Sequence, residues 1–246
     1  MKLLVCVSKT PETTTKIQLT GDGSDIDHTG VNYIMNPYDE WYALVRALEL
    51  REAAGGTVTL INVGPADNDT VIRKGLAVGA DDAIRVNADG GGSLYIARQI
   101  AEQARDGGYD VIFFGKETID YNGSEVGAMV AEFLDIPYVN EASHLDVDGT
   151  VATVTRDIEG GVEVVEVATP LAVSAAKGMA EQRIPNMRGI MMAKRKPLSV
   201  VEPTAFPSAT EIVGYEKPAE KGAVQLIDPD NMQELVRLLH EEAKAI

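Results

Sequence analysis

Hydrophobic and polar positions over the first 140 residues alternate between two periods. "KLLVCVS", "VTLINVG", "DAIRVN" and "YDVIFFG" are short, nearly unbroken apolar runs, the pattern of strands buried on both faces. Between them the apolar residues recur at helical spacing. In "YDEWYALVRALELREAAGG", Leu44, Ala47, Leu48 and Arg51 fall along one flank, and Gly55-Gly56 supplies a stop. "DNDTVIRKGLAVGADD" opens on the cap residues Asp67, Asn68 and Asp69, and "SLYIARQIAEQARDGG" opens at Ser93 and stops at Gly107-Gly108. Strand and helix in regular alternation predict an α/β fold, a twisted parallel sheet with flanking helices and right-handed crossovers. Ligands of such a sheet are expected outside the C-terminal ends of its strands.

Past residue 140 the pattern changes. "SHLDVDGTVATVTRDIEGGVEVVEVATP" carries turn dipeptides at Asp148-Gly149 and Gly160-Gly161, predicting an antiparallel hairpin section over about 141–175, with "LAVSAAK" as one more apolar strand. Residues 1–197 therefore read as one α/β domain, followed by an extended C-terminal arm, 198–246. Pro203, Pro207 and Pro218 punctuate that arm until a helix begins near Asp228 or Asp230, with Met232, Leu235, Leu238 and Leu239 as its apolar stripe. An arm of this kind does not easily bury itself on its own domain, so it is expected to lie across another subunit.

Composition narrows the function. With 38 acidic against 22 basic residues and a net charge of -16, the chain is not built to wrap nucleic acid or to adhere to anionic lipid. The N-terminus lacks the layout of a signal peptide, and no apolar run approaches the ~20 residues that span a bilayer, so a cytoplasmic protein without direct membrane insertion is expected. One cysteine, Cys6, permits no internal disulfide, and His28, His144 and His240 lie too far apart in sequence to suggest a metal cluster or a hydrolytic triad. No metal site and no catalytic residue are predicted.

Three strand exits carry candidate binding chemistry. "GKETIDYNGSEVG" leaves a strand at Gly115 and enters a helix near Ser124 or Glu125; Gly115 and Gly123 permit close backbone approach, Lys116 can neutralise a phosphate, and the helix N-terminus offers free N–H groups. The spacing fits neither GxGxxG nor the Walker pattern, and an ordinary capped strand-to-helix loop accounts for it equally well. The first exit, "VSKTPETTTK", and "MNPYDE" add polar groups on the same edge, Asn36 standing before a helix that begins at Pro37 or Tyr38, and the exit "NVGP" at 62–65 permits a tight turn at Gly64. Separately, "RIPNMRGIMMAKRKP", residues 183–197, concentrates five positive charges and no negative one.

Taken together, "MNPYDE", "GKETIDYNGSEVG", "TRDIEGGVEVVE" and "RIPNMRGIMMAKRKP", in this order and spacing, resemble the β subunit of electron-transfer flavoprotein over essentially the whole chain. The resemblance implies an adenine-nucleotide-binding type of α/β fold and an electron carrier rather than an enzyme. It implies a heterodimer with an α subunit that mainly holds FAD, electrons received from acyl-CoA dehydrogenases, as in fatty acid oxidation, and delivery to a membrane quinone oxidoreductase. The family's AMP site falls on Cys6, Asn36, Pro37, Tyr38, Asp39 and Val63, and on the loop Gly115, Lys116, Glu117, Thr118, Ile119, Asp120, Tyr121, Asn122, Gly123, Ser124, Glu125 and Val126. Tyr121, Asn122, Ser124 and Glu125 depart from the family's usual Asp, Asp, Asn and Gln, which leaves a second FAD, with NADH-linked bifurcation, as the alternative to AMP. Thr13 stands where relatives have an aromatic near the flavin, while Tyr38 keeps an aromatic in the neighbouring segment. The resemblance places residues 183–195 at the recognition loop for dehydrogenases: Met187 takes the anchor position, Ile190, Met191 and Met192 extend the contact or root the loop, and Arg183, Arg188, Lys194, Arg195 and Lys196 supply steering charge or guard the anionic flavin, the plain alternative being a solvated basic loop with a methionine core plug. A stand-alone nucleotide-binding regulatory module would explain the α/β half and leave the arm and the basic segment without a role.

Overall fold

The computed structural model describes residues 1–246. Strand β1 (Lys2–Cys6) leads into a small antiparallel pair, β2 (Lys9–Pro11) and β3 (Tyr33–Met35), before helix α1 (Asp39–Ala54). Then come β4 (Thr57–Gly64), a single 3-10 turn at Ala66–Asn68, α2 (Asp69–Val78), β5 (Asp82–Asn87), α3 (Ser93–Arg105), β6 (Val111–Gly115) and α4 (Val126–Leu134). The hairpin section supplies β7 (Tyr138–Asp148), β8 (Val151–Ile158) and β9 (Gly161–Ala168), and the chain returns through β10 (Leu171–Ala175). Helix α5 (Met187–Ala193), strand β11 (Leu198–Val201) and helix α6 (Met232–Glu241) complete it.

Nine strands form one sheet in the order β11-β5-β4-β1-β6-β10-β7-β8-β9. The pairs from β11 across to β7 are parallel, and β7-β8-β9 continue the same sheet antiparallel. The unbroken apolar runs have a plain cause: successive side chains of a strand point to opposite faces, and both faces are covered. Leu3, Val5 and Val7 pack with Leu44 and Leu48 of α1 and Ile72 and Leu76 of α2, whereas Leu4 and Cys6 pack with Ala97 and Ile100 of α3 and Val130 of α4. "LAVSAAK" sits between β6 and β7, which is why every residue of β10 is buried.

The structure departs from the sequence reading in three places. The alternation is interrupted after β1 by the β2–β3 excursion. Leu198–Val201, read as the start of the arm, pairs in parallel with β5 at the edge of the sheet. Beyond it Thr204 is tied to Gln99 by two hydrogen bonds of 2.8 Å, and Phe206 meets Phe133 edge-on, with Arg98 beside both rings. The chain is thus anchored to its own domain as far as Phe206. Beyond that point apolar residues stand in the open, among them Val213, Val224 and Leu226, and α6 has no buried residue. Third, the segment read as a recognition loop contains the two-turn helix α5. No helix is long and apolar enough to cross a membrane.

Candidate functional site

The sheet reverses its direction of growth at β1: the chain moves outward to β4 and β5, then back to β6 on the other side. Such a switch point leaves a crevice beyond the strand ends. Here it is a cleft of ≈ 1030 Å³, walled by the exits of β1, β4, β5 and β6. Four residues of the C-terminal arm, Ala209, Thr210, Ile212 and Tyr215, close its outer side.

Of the residues predicted for nucleotide binding, Cys6, Val63, Gly115, Lys116, Glu117, Thr118, Asp120, Tyr121, Gly123, Ser124, Glu125 and Val126 line this cleft. Asn36, Pro37, Tyr38, Asp39, Ile119 and Asn122 do not. Asn36 is fully buried behind the loop: its amide donates to the Glu117 carbonyl and its Oδ1 accepts from the Ile119 N–H, both at 3.0 Å. It fixes the loop's position rather than facing the cleft. Asn122 accepts the strain, with φ of 50°, and Ser124 follows with φ of 53°. Tyr38 also has a left-handed φ, 65°, and lies largely exposed at the start of α1.

The loop ends at an open helix N-terminus. The N–H groups of Gly123 to Ala128 find no acceptor within the chain, and Glu125, which precedes α4, makes no side-chain cap. Two lysines reach the cleft, with different freedom. Lys9 is 2.5 Å from Asp67 and lies over the Tyr33 ring, whereas Lys116 has only a loose 3.5 Å contact with Glu117. Lys116 is therefore the cation available to an anion at the α4 N-terminus.

Two features of the cleft were not apparent in the sequence. Glu40 lies buried on its floor, its Oε2 accepting the Ser8 N–H at 2.6 Å. Burial pushes its carboxyl up to about 8, against partial relief from Ser8, with Asp120 and Asp39 adding to the rise. Beside it the Cys6 thiol is held well above its ordinary range by burial and by Glu40. Gly115 makes this packing possible, because a Cβ there would stand 2.8 Å from Glu40 Cγ and 2.9 Å from its backbone nitrogen. The second feature is the "DGGGS" exit of β5, Asp89–Ser93, which forms another wall. Its helix N-terminus differs from that of α4, because Thr210 of the arm sits against Gly92, where a Cβ would come within 2.1 Å of Thr210 Oγ1.

The basic segment divides into roots and free groups. Arg183 is fastened to α1 through Glu52 at 2.7 and 3.0 Å, and its carbonyl accepts the Trp41 indole N–H. Lys196 donates to the carbonyls of Leu76, Gly79 and Ala80, closing the C-terminus of α2. Neither is a free steering charge, contrary to the reading from sequence. Arg188, Lys194 and Arg195 are exposed and form no ion pair. Met187 is 75% exposed and Met191 68%, with Ile184, Ile190 and Met192 exposed around them. Met187 is not a core plug.

Known proteins are similar to this chain over most of its length. The family described as "Electron transfer flavoprotein domain" matches residues 24–206. "Electron transfer flavoprotein subunit beta" of Bacillus subtilis is 35% identical over 100% of both chains. The human protein of the same description is 31% identical, covering 98% of this chain and 97% of its own. "Acryloyl-CoA reductase electron transfer subunit gamma" of Anaerotignum propionicum is 29% identical, covering 98% of this chain and 99% of its own.

Proposed function

The chain belongs to the electron transfer flavoprotein family as a β subunit, and from that membership we propose that it serves an FAD-carrying heterodimer by holding a structural AMP in the switch-point cleft. The observation that carries the nucleotide reading is the combination at the α4 N-terminus: unpaired N–H groups from Gly123 to Ala128 beside the uncommitted Lys116. An adenylate phosphate satisfies both. A second observation points the same way. Asn68 Oδ1 is buried on the cleft wall with no hydrogen-bond partner, so it calls for an N–H or O–H donor such as an amino or sugar hydroxyl group.

In this reading FAD rests mainly on the α subunit, where it supplies the redox chemistry. This chain's residues position and enclose; none donates or removes a proton in a catalytic step. Tyr38, exposed on a strained backbone, is left open for the α subunit to cover. The end of the arm, beyond Lys217, lies across the α subunit, which covers the apolar face of α6. The exposed face of α5 receives acyl-CoA dehydrogenases, and a membrane quinone oxidoreductase takes the electrons onward. The relative from Anaerotignum propionicum is named for acryloyl-CoA reductase, which ties that relative to acyl-CoA chemistry with the thioester on the side that receives electrons. A second FAD in place of AMP is the competing occupant, and a cleft of ≈ 1030 Å³ is large enough to admit it.

The test is to co-express both subunits, denature the purified complex and identify the released nucleotides by chromatography. One FAD and one AMP per heterodimer is the expected result. Two FAD select the second reading, and a colourless single chain overturns both. Gly115→Val, which drives a side chain into Glu40, should remove the AMP while the partner's FAD remains.

A further inference from the structure

The arm is the one wall of the cleft that does not come from the sheet. Between Phe206, whose ring packs on Phe133, and α6, which has no buried residue, the arm crosses the cleft mouth. It is seated there by a few specific contacts. Thr210 rests against Gly92 at the start of α3. The Tyr215 N–H donates to the Gly23 carbonyl at 2.8 Å, its ring lies near Tyr121, and Lys217 donates to Gln18 at 2.5 Å. Ile212 and Tyr121 remain 58% and 67% exposed at the rim, apolar surface that an occupant of the cleft would cover.

We propose that Thr210, Ile212 and Tyr215 are ligand-binding residues of the nucleotide site, and that the bound nucleotide leaves only when this stretch of arm lifts off Gly92 and Gly23. The inference rests on the nucleotide reading of the cleft. Its physical basis is that the other walls are strand exits locked by the parallel ladder, whereas the strap is held by isolated contacts with few buried apolar groups. The triglycine at Gly90–Gly92 acquires a role from this. Rather than opening onto a phosphate, it leaves room for Thr210 at the head of α3, so that only the α4 N-terminus remains for the anion. Because the same arm ends in α6, docking of α6 on a partner subunit would hold the strap down and slow exchange of the nucleotide.

The geometry provides its own lock. A Cβ on Gly92 would lie 3.5 Å from Thr210 Cβ, within the ~3.5–4.5 Å span of a disulfide. Gly92 has φ of -68°, which any residue adopts. The experiment uses the co-purified heterodimer, loaded with labelled AMP and chased with unlabelled AMP. In Gly92→Cys/Thr210→Cys, oxidation by diamide should slow release by at least about tenfold, and dithiothreitol should restore it. Tyr215→Ala should release label roughly tenfold faster than the unmodified complex, with Tyr215→Phe between them. Failure of the thiols to disappear on oxidation would show that Thr210 does not sit on Gly92, and equal release before and after a demonstrated cross-link would show that the strap is not the exit; either overturns the proposal. If the unmodified complex holds no AMP at all, the nucleotide reading itself fails.

Discussion

Met187→Ala separates docking from folding. Met187 is 75% exposed, so its side chain contributes little to the stability of the isolated domain and has most of its surface left for a partner to cover. Fully burying a methionine contributes ~1.5–3 kcal/mol. Three quarters of that is about 1–2 kcal/mol, which corresponds to a roughly five- to thirtyfold rise in the Kd for a donor dehydrogenase. The melting temperature and the flavin spectrum of the complex should not change, because nothing in the core or the cleft touches this side chain. Stopped-flow flavin reduction over a range of dehydrogenase concentrations, together with a melting curve, measures both. If the concentration dependence is unchanged while flavin is retained, or if flavin is lost, Met187 is not the anchor.

Three further outcomes follow from other contacts. Lys196→Met leaves the carbonyls of Leu76 and Ala80 without their donor, while Gly79 keeps Arg51, and this should cost about 1–3 kcal/mol of stability in thermal or urea unfolding, even though the residue belongs to the basic segment. Glu40, ordinarily near 4.5 and pushed up to about 8, retains its proton in the folded chain at pH values where the unfolded chain has released it; its contribution is full below 4.5 and lost as pH rises through 8. Glu40→Gln should therefore gain on the unmodified chain between pH 5 and pH 9, by at most about 5 kcal/mol at ~1.36 kcal/mol per pH unit, and a difference flat with pH in unfolding titrations would refute the buried acid. Truncation after Phe206 removes the strap and α6 while leaving the Thr204 and Phe206 anchors, so heterodimer yield on size exclusion should fall while the remaining chain stays folded; undiminished assembly would deny the arm its role.

Much of this was legible in the sequence because it rests on local pattern. Buried parallel strands announce themselves as unbroken apolar runs, and the loop Gly115–Val126 is marked by its glycines and by the helix it opens. The parts that escaped depend on long-range register. Glu40 reads as an acid in a helix's first turn, favourable at a surface N-terminus, and only the absence of a side chain at Gly115 brings it to the cleft floor. Arg183 and Lys196 count as free positive charges until the fold brings Glu52 and the end of α2 to them. "DGGGS" resembles a phosphate loop, yet its neighbour is Thr210, more than a hundred positions away. Leu198–Val201 has a strand's composition but no turn or hairpin partner nearby, because it pairs with β5 across a long sequence separation.

The fastening of α5 also explains how an acidic chain presents a basic, methionine-bearing surface. A seven-residue helix does not hold together in water on its own, since so short a segment cannot repay the cost of nucleation. Its stability comes from below: Asn186 caps its start by accepting the Gly189 N–H, Arg73 closes its end through the carbonyls of Ala193 and Lys196, and Gly189 lies so close to α2 that a Cβ would meet the Ala77 carbonyl oxygen at 2.4 Å. The Arg73 and Gly189 contacts face the domain, which leaves Met187 and Met191 displayed on a fixed support while their flexible side chains adapt to what they meet. At physiological ionic strength a charge is felt over only about 8 Å, so an approaching partner meets Arg188, Lys194 and Arg195 rather than the chain's total of -16. Neutralising Arg188 and Lys194 together should therefore slow association with an acidic dehydrogenase surface most at low salt and change dissociation little. An equal effect at high and low salt would mean that these two side chains act by contact instead of by field.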